Sequence, residues 1–140
     1  MSALTSFPYG LYVVTVARGG EEHGMTASWV TQTAVAPPMV AVAIESSSET
    51  IEMIREARRF GVSLLSQGQR DVAAKLPGRL KGIRTKPAPA AQTPVLADAL
   101  GWVECRVVAT LPSGDHTLVL GEVIATAVEQ DGKPLMEQDA

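Results

Sequence analysis

The first clear pattern is a β-branched run from Leu11 to Ala17, followed by Arg18-Gly19-Gly20-Glu21-Glu22. The glycines permit the positive φ of a tight turn. The chain returns at His23, so these segments predict a hairpin. Its second arm runs through Gly24-Met25-Thr26-Ala27-Ser28-Trp29-Val30-Thr31-Gln32-Thr33 and stops at Ala36-Pro37-Pro38, where proline removes the ladder donor. As one extended stretch it sets Thr26, Ser28, Val30 and Gln32 on one face. Ala27, Trp29, Thr31 and Thr33 fall on the other. A strand serving only a core would carry branched aliphatic residues on one face. This one carries hydroxyls, an amide and an indole, a surface suited to something flat with polar edges.

Met39 to Ile44 is continuously apolar and predicts a strand buried on both faces. Ser46, with Glu49 three residues on, has capping-box spacing, and Ile51, Ile54 and Ala57 then predict a short helix of about two turns. Gly61 to Leu65 predicts a strand. Gln69 to Leu76 predicts a second short helix closed by Pro77-Gly78. Pro77 to Pro94 is the loosest region. Its Arg79, Lys81, Arg84 and Lys86 read as a solvated loop, with contact to a nucleotide phosphate as the alternative. Strands over Leu100–Ala109 and Thr117–Thr126 flank a turn at Pro112-Ser113-Gly114-Asp115. Asp131-Gly132 signals a further hairpin before Lys133-Pro134-Leu135-Met136. About six strands and two short helices, without βαβ alternation, predict a mainly β fold with a closed antiparallel sheet.

Composition narrows the class. The 140 residues suit one domain spanning 1–140. A hydrophobic content of 46% excludes disorder for the bulk of the chain. A net charge of -3 argues against a nucleic-acid binder led by phosphate contacts. Cys105 is the one cysteine, so no intramolecular disulfide forms and a reducing compartment is expected; it reads as a small core residue. The start lacks a basic segment followed by an apolar one, and Met39–Ile44, the longest apolar run, is too short to span a bilayer. A cytoplasmic protein without a membrane partner is expected, either a compact unit or a piece of a longer chain.

The familiar nucleotide and metal motifs are missing. No G-x-G-x-x-G, P-loop or H-E-x-x-H occurs, and His23 and His116 lie far apart, so no metal site is expected. An enzyme this poor in acid–base candidates would rely on a cofactor for its chemistry. Three features could converge. One is the hydroxyl-rich stretch Thr26–Thr33. A second is Ser46-Ser47-Ser48-Glu49-Thr50 at a helix start, where free N–H groups and the helix dipole favour an anion such as phosphate. The third is Gly114-Asp115-His116 leading into Gly121-Glu122-Val123.

These segments resemble a known family. Phe7-Pro8-Tyr9-Gly10-Leu11-Tyr12-Val13-Val14-Thr15-Val16, Gly24-Met25-Thr26-Ala27-Ser28-Trp29-Val30-Thr31-Gln32 and Pro37-Pro38-Met39-Val40-Ala41-Val42 are similar to the flavin reductase-like FMN-binding split barrels. So are Thr50-Ile51 to Leu65, and Gly114-Asp115-His116-Thr117 with Gly121-Glu122-Val123. The chain departs from the family pattern after Gly132-Lys133-Pro134-Leu135 and in a short loop before Gly101-Trp102.

The resemblance implies a Greek-key split β-barrel with two short helices, forming a homodimer with FMN, or FAD, near the subunit interface. It implies flavin contacts from Thr26, Ala27, Ser28 and Trp29, and from Gln32 and Thr33, with the phosphate around Ser46, Ser48 and Thr50. It sets His116 on the nicotinamide side, with catalysis as its role. The implied reaction is NAD(P)H-dependent flavin reduction, in some members as the reductase component that supplies a monooxygenase. The alternatives are an electron-relay module that does not use NAD(P)H and a non-enzymatic flavin-binding barrel. Each residue also has a plainer reading. Thr26, Ser28 and Gln32 could line a solvated strand face, and Ser46, Ser48 and Thr50 could form only a helix cap. Trp29 could belong to a core or dimer interface, His116 could orient a hairpin, and His23 could merely start a strand.

Overall fold

A computed structural model describes residues 2–139. Among these lie ten strands and two α-helices: β1 Tyr12–Arg18, β2 Glu21–Ala27, β3 Val30–Val35, β4 Pro38–Glu45, α1 Glu49–Ala57, β5 Arg59–Leu64, α2 Arg70–Ala74, β6 Gly78–Arg79, β7 Thr85–Pro87, β8 Pro94–Leu96, β9 Gly101–Ser113 and β10 His116–Val128. Eight strands form one antiparallel sheet in the order β3-β4-β10-β9-β5-β1-β2-β6, and β7 pairs with β8.

The order dictates the shape. β2 and β3 lie toward opposite ends of the sheet, yet only Ser28 and Trp29 separate them. Three peptide steps, from Ala27 to Val30, reach at most about 10 Å. The sheet must therefore roll until its ends nearly meet, giving a barrel whose seam is crossed by Ser28-Trp29. The single extended stretch expected from Gly24 to Thr33 is thus two strands. β2 pairs with β1, whereas β3 pairs with β4, a ladder continued where the Ala43 N–H donates to the Trp29 carbonyl at 3.0 Å. Neither glycine nor proline marks this corner.

Glycine does mark the tight hairpins. Gly19 and Gly20, at φ 58 and 89, turn β1 into β2, and Gly114, at φ 61, turns β9 into β10. The expected hairpin at Asp131-Gly132 does not form. That segment instead meets the barrel through isolated bridges between Ser66 and Pro134 and between Gly10 and Met136.

β1 is central, and both of its faces are covered. Val14 and Val16 pack with Ile51, Met53 and Ile54 of α1 and with Phe60 and Val107. Val13 faces a second cluster holding Leu65, Leu76, Leu80 and Leu135. β4 is one-sided, contrary to its continuous apolar sequence: Val42 and Ile44 are fully buried while Ala41 and Ala43 are half-exposed. α1 is capped by Ser48 rather than Ser46. Ser48 Oγ accepts the Ile51 N–H at 3.2 Å, the usual capping bond for serine. The second helix is shorter than expected, a 3-10 turn over Gln67–Gln69 running into α2.

The proline-rich region is ordered by charge. Glu104, fully buried on β9, accepts the backbone N–H groups of Ala90, Ala91 and Thr93 at 2.9, 2.8 and 3.2 Å. A buried carboxylate is tolerated when donors surround it. Three of the four basic residues are paired: Arg79 with Glu21, Arg84 with Asp98 and Lys86 with Glu129.

Candidate functional site

The seam of the barrel holds a hollow of about 160 Å³ lined by Met25, Thr26, Ala27, Ser28, Trp29, Ala43, Glu45 and His116. Its walls are the end of β2, the crossing residues, the end of β4 and the start of β10. Residues far apart in sequence meet here because β4 lies between β3 and β10. The small side chains Ala27, Ser28 and Ala43 keep the wall low, so a planar group could approach the backbone.

Trp29 is 48% exposed, and its ring lies 4.8 Å from that of His116 at an interplanar angle of 50°. Tyr9 also approaches the indole edge-on, at 6.4 Å. An indole so exposed at a cavity mouth suits contact with another aromatic plane. His116 is not in the turn but opens β10, opposite Glu45 of β4. Its Nδ1 lies 2.7 Å from Asp115 Oδ1. A carboxylate only accepts, so Nδ1 carries the hydrogen and Nε2 is left available for another partner. That hydrogen bond, and then the charge of His116, hold the Asp115 carboxyl below its ordinary value.

A second groove of about 340 Å³ adjoins the first through their shared Glu45. Its other lining residues are His23, Ser47, Ser48, Glu49, Thr50, Pro77 and Gly78. It covers the first turn of α1, where backbone N–H groups and the helix dipole attract anions. Ser48 both caps the helix and borders the groove. Ser46 turns elsewhere: its Oγ bonds Thr117 Oγ1 at 2.8 Å, and its N–H donates to the Asp115 carbonyl at 3.0 Å. It ties α1's approach to the His116 hairpin. Thr50 is 1% exposed.

The remaining sequence candidates divide. Thr26 lines the hollow, but its hydroxyl donates to the Ala73 carbonyl of α2 at 2.8 Å. Ser28 lines the hollow and Ala27 is buried. Gln32 and Thr33 are exposed on β3 outside the hollow, and the Gln32 amide donates to the Ala34 carbonyl at 3.1 Å. The expected face that joined Gln32 to Thr26 and Ser28 is lost at the corner. Two ionisable lining residues carry no sequence signature of a site. Glu45 sits at the end of an apolar run and carries no motif. His23 looked like an ordinary strand start. Only the meeting of β2 with α1 gives it a place.

Among the described residues, no group of three or more His, Cys, Asp or Glu is disposed to hold a metal, and no helix is long and apolar enough to cross a membrane. The donor set of neutral hydroxyls, backbone N–H groups, an exposed indole and a helix start suits a flat ring carrying a phosphate.

Comparison with known proteins points the same way. Residues 4–139 match the model of the flavin reductase like domain. The chain is 36% identical over 135 residues to the reductase component of 4-hydroxyphenylacetate 3-monooxygenase from Thermus thermophilus, covering 96% of this chain and 87% of that one. It is 34% identical over 131 residues to a flavin reductase (NADH) from Kitasatospora aureofaciens, covering 89% and 69%. Among solved structures, an NADH:FAD oxidoreductase from Streptomyces globisporus superposes with a TM-score of 0.87 at 27% identity, covering 93% of this chain and 81% of that one.

Proposed function

The chain belongs to the flavin reductase like domain family, and on that premise we propose that it is an NAD(P)H-dependent flavin oxidoreductase, one flavin-binding domain over residues 1–140. The carrying observation is the seam hollow joined through Glu45 to the groove at the start of α1. One compartment suits a ring, the other a phosphate. The relatives named for NADH and for monooxygenase reductase components favour NADH as reductant and a monooxygenase as the consumer of reduced flavin.

FMN is the proposed flavin, with FAD as the longer relative that the same ring and phosphate contacts would admit. When bound, the flavin would accept a hydride from the reduced nicotinamide. The chain itself supplies binding and orientation. The backbone from Thr26 to Ser28 would receive the polar ring edge. Trp29 would cover an apolar face, and the free N–H groups of α1's first turn, with Thr50 and beside the capping Ser48, would hold the phosphate. Gln32 and Thr33 would touch the flavin only if it extended over β3. His116, oriented by Asp115, would fix the nicotinamide. Most of the rate gain would come from holding two rings in register, since effective molarities of positioned partners reach about 10⁵ M or more.

A homodimer is part of this reading. The ring compartment is bordered by Trp29, which is 48% exposed. A second copy against the exposed Trp29 would supply a further wall. A cytoplasmic location is also proposed: it suits this role, and the free Cys105 is compatible with a reducing compartment.

The test is stopped-flow mixing of flavin-loaded protein with NADH and with NADPH, following flavin absorbance. Bleaching at a rate that saturates with NADH is expected. Flavin that stays oxidised with both nucleotides would overturn the reductase assignment and leave a relay or storage barrel. Native mass, with the identity and stoichiometry of flavin released on denaturation, tests the dimer and the choice of FMN.

A further inference from the structure

His23 stands on β2, 6% exposed, facing the first turn of α1. Its Nδ1 is buried and has no hydrogen-bond partner, while its Nε2 lies 3.8 Å from Glu49 Oε2. Buried polar nitrogens are nearly always paired, and an exception needs a reason. Nε2 makes no hydrogen bond either, because Glu49 stands beyond hydrogen-bond distance. The side chain instead lines the groove at the start of α1.

The charges around that groove are unbalanced for an anion. Of its lining residues, Glu45 and Glu49 are acidic, and Ser47, Ser48, Thr50, Pro77 and Gly78 are neutral. His23 is the only one that can become positive. Arg79, its partner in the ladder between β2 and β6, is committed to Glu21 at 3.2 Å and lies outside the lining. Helix N–H groups and hydroxyls bind phosphate as dipoles. Beside two carboxylates, a phosphate also needs a side-chain N–H donor within contact distance.

We propose that His23 is a phosphate ligand, its imidazole Nε2 completing with α1's first turn a site for the flavin's terminal phosphate monoester. The proposal rests on the flavin reading above and adds a residue to it. Glu49 is the acidic group beside His23 Nε2 while no phosphate is bound. The Glu49 side chain is 53% exposed and has a second partner, Arg18, at 3.6 Å. A phosphate arriving at Nε2 therefore displaces Glu49 toward Arg18 without stranding its charge.

The test compares FMN with riboflavin, which has the same ring and ribityl chain but no phosphate. Dissociation constants are measured by flavin fluorescence quenching for the wild-type protein, His23→Gln, His23→Asn and Arg79→Gln. In both His23 variants FMN affinity falls about ten-fold or more, the loss of one charge-assisted contact, while riboflavin affinity changes less than about two-fold. Arg79→Gln behaves as wild type. Equal losses for both flavins, no loss for either, or loss of the preference for FMN in Arg79→Gln would overturn the proposal while leaving the ring site intact. If the wild-type protein binds neither flavin, the flavin reading itself fails. Inorganic phosphate then reads the groove alone: it raises the wild-type melting temperature, and a rise of the same size in His23→Gln overturns the assignment.

Discussion

The rings of Trp29 and His116 face each other across β4, 4.8 Å apart, one from the residue pair that crosses the barrel seam and the other from the first residue of β10. Asp115 fixes the hydrogen on His116 Nδ1. The indole limits how far the imidazole can swing, and the carboxylate sets its tautomer. His116→Ala is expected to lower kcat/KM for NADH about ten-fold, or about 1.4 kcal/mol of transition-state stabilisation, with flavin affinity nearly unchanged. Steady-state kinetics beside a flavin titration separate the two. Parallel losses would assign His116 to structure alone.

The same pair makes a pH prediction. The His116 hydrogen bond lowers the pKa of Asp115 from its ordinary 3.8. For an acid depressed in the folded state, the stabilisation is present above the ordinary value and disappears as pH falls through the depressed one. Asp115 is fully exposed, so the effect is local. The Asp115 carboxyl resonance should titrate at lower pH in the wild-type protein than in His116→Ala. Coincident curves would refute the interaction.

Ser48 has two roles that substitutions can part. Its Oγ accepts from the Ile51 N–H and donates to the Glu45 carbonyl at 2.7 Å. Ser48→Ala should cost about 1 kcal/mol of stability through the lost cap. Ser48→Asp keeps a good cap and should stay within about 0.5 kcal/mol of wild type. It also puts a negative charge beside the phosphate groove, so FMN should weaken far more than riboflavin. FMN binding indifferent to both changes would remove the phosphate from this end of α1.

Glu104 holds the loop over residues 88–93 by three backbone N–H groups. Glu104→Ala leaves those donors facing a cavity. The expected loss is about 3 kcal/mol or more, read as a lower urea midpoint at unchanged slope. A loss under about 1 kcal/mol would mean that water replaces the carboxylate readily.

Cys105 is fully buried beside Phe60 and below Gly121, where an added Cβ would come within 2.6 Å of the Phe60 ring. Burial, and then the charge of Glu104, push its thiol from 9.0 up to about 12. A raised folded-state value gives stability that is complete below 9.0 and is lost as pH rises toward about 12. Cys105→Ala should flatten that alkaline loss. In the native wild-type protein at pH 8, a thiol reagent should react only at the rate of opening. Fast stoichiometric labelling would contradict the burial.

Several features were legible from local chemistry. Gly19-Gly20 and Gly114-Asp115 form the turns that their positive φ values allow. Ile51 and Ile54 bury the face of α1 that their spacing predicts. The hydroxyl-rich stretch before Pro37-Pro38 and the serine cluster before α1 do border adjoining cavities. These signals are short-range: a turn, a helix stripe or a cap depends on residues within a few positions of one another.

The remainder was decided by how the sheet closes. Ser28-Trp29 carries no turn residue, so nothing local announces that β2 ends there and β3 joins a different neighbour. That corner separates Gln32 and Thr33 from Thr26. It also brings Trp29 to His116, and the rolled sheet sets Glu45 between the two cavities. Ser46 has the capping-box spacing to Glu49, but the hydrogen bond to Thr117 on β10 claims its hydroxyl. His23 gained its place only when β2 packed against α1. The sequence by itself determined which side chains were available for a ring and a phosphate. The tertiary structure decided which of them share a cavity, because strand order is set by barrel closure rather than by neighbours along the chain.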